Sequence, residues 1–424
     1  MTIPDHDVRV LRRLATRIAE LAAAPANQER GGMWSRLTDL DTSVRPMLLT
    51  HLWPLAWSQV LPDGTSLRCT DPRARSYERE MRQRIWTAET LNDDTVIEPT
   101  VRYPHCVSID RYGGIGADKV YASDDHAKTG AAIFVPEIRE KSDLDRLGDP
   151  TITVDWDRRE RCRAEAEEIF CGILDVVPEG IYFAAKVIDE WVELRGMEQF
   201  FYDMVEDPVW THEALQRMAD NIHARFLTCE GLGVWGPWEP SDPLGSSGLR
   251  FNPEVPSYAE LRQRGRMRLD ESWGFTCAEA LTVVSPKMHD EFAFRYDRQL
   301  MSLFRHVNVG CCEVLSDRID LVSSIPNARR ITVSEWADLA RAAEAIGTDY
   351  IYGYKPSGVP FITDPWSPEM IQDEIRTVLE RSAGCVVEII LNIGGTLGDT
   401  PSWQLEQWND IAMREILAFE ATRG

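Results

Sequence analysis

From residue 305 onward, short apolar runs alternate with short amphipathic ones, and that rhythm leaves few folds open. RHVNVGCCEVL (305–315), ARRITVSEW (328–336), DYIYGYKPSG (349–358) and GCVVEIILNIGG (384–395) read as strands. The stretches 317–325, 337–346, 367–383 and 401–421 read as helices between and after them. Strands separated by helices of about ten residues imply βαβ units and a parallel sheet. No glycine-rich phosphate fingerprint follows the first apolar strand, RPMLLTHLWP (45–54), which counts against a nucleotide-binding doubly wound sheet. The expectation is an α/β fold, a (β/α)8 TIM-type barrel with long insertions. Chemistry in such a barrel sits at the carboxyl ends of the strands.

Upstream the pattern is less regular. Val8, Leu11, Leu14, Ile18 and Leu21 recur at helical spacing, so residues 1–40 read as a helical extension and 41–424 as the barrel. The opening stretch carries Asp5, Asp7 and Glu20, so it reads as an amphipathic helix rather than a secretory leader. GIYFAAKVI (180–188) predicts a strand, and 208–228 and 286–304 predict helices. GLGVWGPWEPSDPLGSSG (231–248) predicts a strand running into a long Gly/Pro/Ser loop. YGGIGADKVYASDDHAKTGAA (112–132) reads as irregular.

Charge narrows the partners. The 46 Lys and Arg against 69 Asp and Glu leave a net charge of −23. A field that negative repels phosphate backbones and anionic lipid, so nucleic-acid and membrane-surface partners are not expected. No apolar run reaches the roughly 18 residues of a membrane span. Nine cysteines, an odd number, point to free thiols in a reducing cytoplasm.

Both faces of a barrel strand are buried, so polar residues sharing one parity need a reason. His306 and Asn308 share a parity with Gly310 and Cys312. Glu388 and Asn392 share one on the 384–395 strand, Gly353 and Lys355 on the next, Thr332 and Ser334 on another. Burying a carboxylate and an amine costs several kcal/mol unless they pair or ligate something. The expectation is a polar pocket inside the barrel mouth, with a purely structural Glu388–Lys355 pair as the alternative.

The densest cluster is His306-Val-Asn-Val-Gly-Cys311-Cys312-Glu313. Thiolate, imidazole and carboxylate suit Zn²⁺. One strand end cannot supply a tetrahedral set, so Cys385, Glu388, His51 and Glu279 are possible contributors. The bland alternative is that the cysteines are small buried hydrophobes. His306, Cys311, Cys312 and Cys385 form the candidate metal set. Glu313, Lys355, Glu388 and Asn392 are the candidate catalytic residues. His51, Trp53, Trp235, Glu279, Arg295 and Asn308 are the candidate substrate contacts. The run Asp124-Asp-His126-Ala-Lys-Thr-Gly130 approaches a DxHxxG corrinoid-binding motif, but its glycine stands one position late and the motif's companions are missing.

Beyond these residues, the carboxyl half resembles a known group. VVSPKMHDEFAFRYDRQL, the run from HVNVGCCEVL to GYKPSG, and CVVEIILNIGGTL resemble the uroporphyrinogen decarboxylase-like superfamily, in a branch with a Gly-Cys-Cys-Glu signature (Gly310, Cys311, Cys312, Glu313). The resemblance implies a (β/α)8 barrel, in a superfamily that includes zinc-dependent corrinoid and thiol methyltransferases. The chain departs from that pattern. Asn308 precedes Gly310 where a His-x-Cys would stand, and Ile393 and Gly394 occupy the place of the later thiolate. Asn392 and Ile393 replace the branch's Lys-Asp pair.

Three readings follow. The first is zinc-dependent methyl or alkyl transfer on a small molecule, with a thiol or a separate corrinoid protein as partner. The second is cofactor-free decarboxylation of an aromatic or heteroaromatic acid. There Lys355 or Arg295 would hold the carboxylate and Glu388 or Glu313 would donate the proton. The third is a non-catalytic binding barrel. A homodimer is compatible with each.

Overall fold

The computed structural model describes residues 3–116, 118–121, 132–236, 239–254, 258–363, 365–395, 397 and 402–423. Its strands are β1 (Met47–Leu52), β2 (Thr100–Tyr103), β3 (Val107–Asp110), β4 (Asp118–Tyr121), β5 (Ala132–Val135), β6 (Thr151–Val154), β7 (Asp175–Pro178), β8 (Trp273–Thr276), β9 (His306–Val309), β10 (Ala328–Val333), β11 (Ile351–Tyr354) and β12 (Val386–Ile393). Six of them form one parallel sheet in the order β1-β12-β11-β10-β9-β8. Helices Leu339–Ile346, Pro368–Arg381 and Trp403–Arg423 alternate with its last strands. The α/β reading and the parallel sheet therefore hold.

A full eight-stranded ring is not shown: among the described residues the parallel sheet has six strands. Among the described residues β2 pairs with β7, and neither pairs with β1 or β8. The outer edge of β1 is met by the 93–94 segment instead, where Asp94 N donates to Leu48 O at 2.8 Å. Leu48 N donates to Asp94 Oδ2 at 2.8 Å and Thr50 N to Asp93 Oδ2 at 2.9 Å. At the other edge Ala185 N donates to Phe275 O at 2.8 Å, and Thr276 Oγ1 donates to Ala185 O at 3.0 Å. Buried amides must find acceptors, and carboxylates serve where the next strand is absent.

The strand expected over 180–188 is a pair of single bridges, Ile181 to Trp235 and Ala185 to Thr276, and a helix begins at Val187. The stretch read as irregular contains β4 and ends on the first residue of β5, with which β4 pairs antiparallel. The corrinoid-like run at 124–130 lies outside the described residues.

Each face of the sheet has its own cover. On β12, Val387, Ile389, Leu391 and Ile393 pack on the outer helices through residues such as Ile375 and Trp408. Val386 and Ile390 face the concave side with Met47, Leu49, Trp273, Phe275 and Ile351. Each such side chain contributes roughly 1.5–3 kcal/mol when buried. The N-terminal helix Asp5–Ala23 buries Val10, Leu11, Leu14 and Ile18 in a separate cluster with Tyr77, Met81, Val101 and Phe170.

The Gly/Pro/Ser loop enters the concave side. Leu244, Ser246, Ser247 and Leu249 are buried there. A Cβ on Gly248 would lie 2.3 Å from Glu388 Oε2, so only glycine lets the backbone approach this carboxylate. Gly248 N donates to Glu388 Oε1 at 3.2 Å, and Arg330 Nη2 donates to Leu249 O at 3.0 Å. Loop composition suggests a surface segment, but interior side chains satisfy this one's backbone. Among the described residues, no helix is long and apolar enough to cross a membrane.

Candidate active site

The concave face is built in layers by strand parity. Register pairs Trp273 with His306, Phe275 with Asn308, Asn308 with Arg330, Thr332 with Gly353, Gly353 with Glu388, and His51 with Asn392. Deep in this face Arg330 Nε lies 2.8 Å from Glu388 Oε1, and both side chains are fully buried. Arg330 also sits 4.6 Å from the Trp273 ring centroid. Burial raises the Glu388 carboxyl, and Arg330 and Gly248 oppose that shift. The structural pair expected between Glu388 and Lys355 is thus made with Arg330, which the sequence reading did not single out.

Lys355 lies higher, with Cys311. Its Nζ donates to Ser246 Oγ at 2.5 Å and stands 3.3 Å from Cys311 Sγ. Ser246 Oγ is itself 3.3 Å from that sulfur. Parity alone would turn Cys312 inward with Asn308. Gly310 reverses this, because its φ of +90° bends the chain and turns Cys311 in. A Cβ at Gly310 would stand 2.5 Å from Leu315 Cδ1, which keeps the position glycine. Asn308 Nδ2 holds the bend by donating to Gly310 O at 2.9 Å. Asn308 therefore shapes the turn from a fully buried position.

Cys312 is exposed, with its sulfur 3.6 Å from that of Cys311. Donor atoms of Glu279, Cys311 and Cys312 all lie within 4.8 Å of one another. The contact with Cys312, then burial, pushes the Cys311 thiol up. The contact with Cys311, aided by Lys355, pulls the Cys312 thiol down. Zinc takes thiolate at ~2.3 Å and carboxylate at ~2.0–2.2 Å, so three donors this close can meet one ion after small rotations. Two of the three are exposed, which leaves an outward coordination position. The donor set fits a zinc ion.

Glu313 anchors this turn. Its carboxylate accepts from Cys311 N at 2.7 Å and from Ala278 N at 3.0 Å. Burial, partly offset by those amides, raises its pKa. Behind it lie residues that sequence reasoning missed. Cys277 Sγ is 3.5 Å from Asp189 Oδ2, and burial followed by Glu279 pushes Asp189 up to about 7. Burial lowers Lys186, but Cys277, Glu279 and Asp189 outweigh it and hold the amine above its ordinary range. Their only sequence signal was acidic residues just after apolar runs.

The rim carries three expected residues. Trp53 Nε1 donates to Asn392 Oδ1 at 2.6 Å, and the Trp53 ring stands 5.7 Å from that of His51. Burial, with Lys355 nearby, lowers His51 to about 4, so the imidazole is neutral.

Four expected residues lie elsewhere. His306 starts β9 and lies against Trp273, the ring centroids 5.1 Å apart and the planes tilted by 54°. A strand rises about 3.3 Å per residue, so it sits roughly 13 Å below Gly310 and cannot share an ion with the cysteine pair. Cys385 precedes β12 and points its thiol at Ala343 O, 3.5 Å away on the helix side. Trp235 is fully buried among Phe183, Phe226 and Phe304, with Nε1 donating to Ser272 Oγ at 2.9 Å. Arg295 is exposed on an outer helix.

Asp297 gives a test of the buried acids behind the site. Burial pushes its carboxyl up to about 8, far above the ~3.9 of an unfolded Asp. Between those pH values the folded chain keeps a proton that the unfolded chain has lost, so stability falls as pH rises. Asp297→Asn is expected to raise the thermal midpoint by several degrees at pH 8 and to leave it nearly unchanged at pH 4. Scanning calorimetry at the two pH values checks this.

No family model and no curated protein matches the chain. Among solved structures, the chain is similar to a methyltransferase from Methanosarcina mazei, at 14% identity and a TM-score of 0.48. The match covers 92% of this chain and 98% of that one. Likeness at this level assigns neither a family nor a reaction.

Proposed function

We propose that this chain is an enzyme that moves a methyl or other alkyl group between a small molecule and a sulfur centre, with zinc held by Cys311, Cys312 and Glu279. The observation that carries the reading is the convergence of two thiols, one carboxylate and the Lys355 ammonium at the carboxyl end of β9. Zinc bound there would lower the pKa of an acceptor thiol and so supply a thiolate at neutral pH. The rest falls to the chain's own side chains. Lys355, tethered by Ser246, sets a positive charge beside the sulfurs. Glu313 and Asn308 fix the turn that presents them. His51, Trp53 and Asn392 wall the mouth. In the transfer a sulfur–carbon bond forms as the carbon–donor bond breaks. The bonding pair leaves with the donor, and the thiol proton passes to solvent.

Decarboxylation finds less support. Arg295 points away from the site, Glu388 is sealed under Gly248 and paired with Arg330, and Glu313 is engaged by two amides. Both named acids are committed elsewhere, and of the two named cations only Lys355 stands at the site, tethered to Ser246.

The test uses the full chain, methylcobalamin or a methylated small molecule as donor, and a free thiol as acceptor. About one zinc per chain is expected, with thioether formation that chelator abolishes and zinc restores. Metal-free protein with full activity would overturn the zinc assignment. Absence of thioether from every donor with the metal bound would overturn the transferase.

A further inference from the structure

Adjacent residues on a strand turn to opposite faces, which keeps the sulfurs of two consecutive cysteines apart. β9 ends at Val309, and the φ of +90° at Gly310 breaks that alternation. The Cys311 and Cys312 sulfurs stand 3.6 Å apart beyond the bend. A disulfide needs about 2.05 Å, so the two atoms have about 1.5 Å to close.

Their surroundings set an order of reaction. Cys311 is buried, and its sulfur is held 3.3 Å from both Ser246 Oγ and Lys355 Nζ. Cys312 is exposed, and among the described residues Cys311 is the hydrogen-bond partner of its sulfur. An oxidant arriving from solvent therefore meets Cys312 first. Cys312 is also the side chain with room to swing, toward a sulfur already fixed from its other side.

The bond would be a labile one. Consecutive Cα atoms lie about 3.8 Å apart, short of the about 4.4–6.8 Å that most disulfides span. Strain of this kind makes a disulfide more oxidising, so thiols in solution readily undo it. Such behaviour suits a switch rather than a structural cross-link.

We propose that Cys311 and Cys312 close into a reversible disulfide under peroxide, and that closure releases the zinc. The effect on the metal rests on the zinc-transferase reading, whereas the bond itself does not. Peroxide passes one oxygen to the Cys312 sulfur, giving a sulfenic acid and one water. The Cys311 sulfur then attacks that sulfur. The S–S bond forms as the S–O bond breaks, and the hydroxyl leaves with the Cys311 proton as a second water. Two thiols have lost two electrons, and one peroxide has become two waters. Metal ligation needs thiolate, which a disulfide does not offer, so Glu279 alone would be left to the ion. Thiol–disulfide exchange with a thiol in solution restores both cysteines and leaves that thiol as its own disulfide.

The test treats the full chain with hydrogen peroxide, with and without zinc, and reads the tryptic peptide 306–318 by mass spectrometry. In the metal-free chain this peptide is expected to be about 2 Da light and closed to alkylation at both cysteines, and dithiothreitol is expected to reopen it. In the zinc-loaded chain, metal is expected to pass to a chromogenic chelator in step with the lighter peptide and to rebind after reduction. Cys171→Ser, which removes the other exposed thiol, is expected to behave as the native chain does. Three results would overturn the proposal: oxygen added at Cys312 while Cys311 still alkylates, a bond from either residue to a third cysteine or a second chain, or zinc retained by a chain whose peptide is fully closed. A chain that closes the bond but held no zinc beforehand would sink the zinc reading alone.

Discussion

Glu388→Ala is expected to destabilise the fold by about 3–5 kcal/mol, the cost of leaving a partner's charge buried without its counter-ion. Arg330 is fully buried, and the Glu388 carboxylate is its ion-pair partner at 2.8 Å. The substitution also takes away the acceptor of Gly248 N and so loosens the loop that packs the concave face. The double substitution Arg330→Met, Glu388→Leu removes both charges at once. It is expected to cost less than Glu388→Ala alone, because replacing a buried pair with apolar groups is often close to neutral. Urea unfolding of Arg330→Met, Glu388→Leu and the double gives the coupling through a double-mutant cycle. Equal midpoints for Glu388→Ala and the native chain would show that the pair contributes nothing to stability.

Cys312→Ser and Glu279→Gln are each expected to weaken zinc binding by more than about 100-fold, since altering even groups that only support metal ligands costs 10–100-fold. Thioether formation should fall with metal content and stay low in excess zinc for Cys312→Ser. His306→Gln and Cys385→Ala are the controls. Both residues lie away from the cysteine pair, so metal content and transfer should stay near native in both variants. Competition with a chromogenic zinc chelator reads the affinity, and mass spectrometry of the thiol reads the transfer. Zinc loss in His306→Gln with retention in Cys312→Ser would reverse the ligand assignment.

These two results bear on residues that differ in how legible they were. Glu388 and Lys355 stood out because a strand alternates its faces with a period of two, and that period is written in consecutive residues. The apolar parity of Val387, Ile389 and Leu391 fixed which face met the helices, and Glu388 and Asn392 followed on the other. The Cys311–Cys312 pair was legible as chemistry but not as orientation. The period of two breaks at Gly310, whose positive φ turns the first cysteine inward and leaves the second at the surface. Arg330 was hidden because it follows Arg329 at the start of a strand, where two basic residues look like a solvated end.

The chain's local order thus determined the α/β class, the parallel strands, the polar parity of the concave face and the cluster of zinc-like donors, because each depends on neighbours a few residues apart. Only the tertiary structure decided what those side chains meet. A loop 140 positions away covers Glu388, Ser246 ties Lys355 across 109 positions, and Glu279 rather than His306 joins the cysteines. The same holds for the outer edge of β1, which the 93–94 segment meets. The stability of a buried charge depends on what lies within a few ångströms of it, and residues far apart in sequence become neighbours only once the chain has folded.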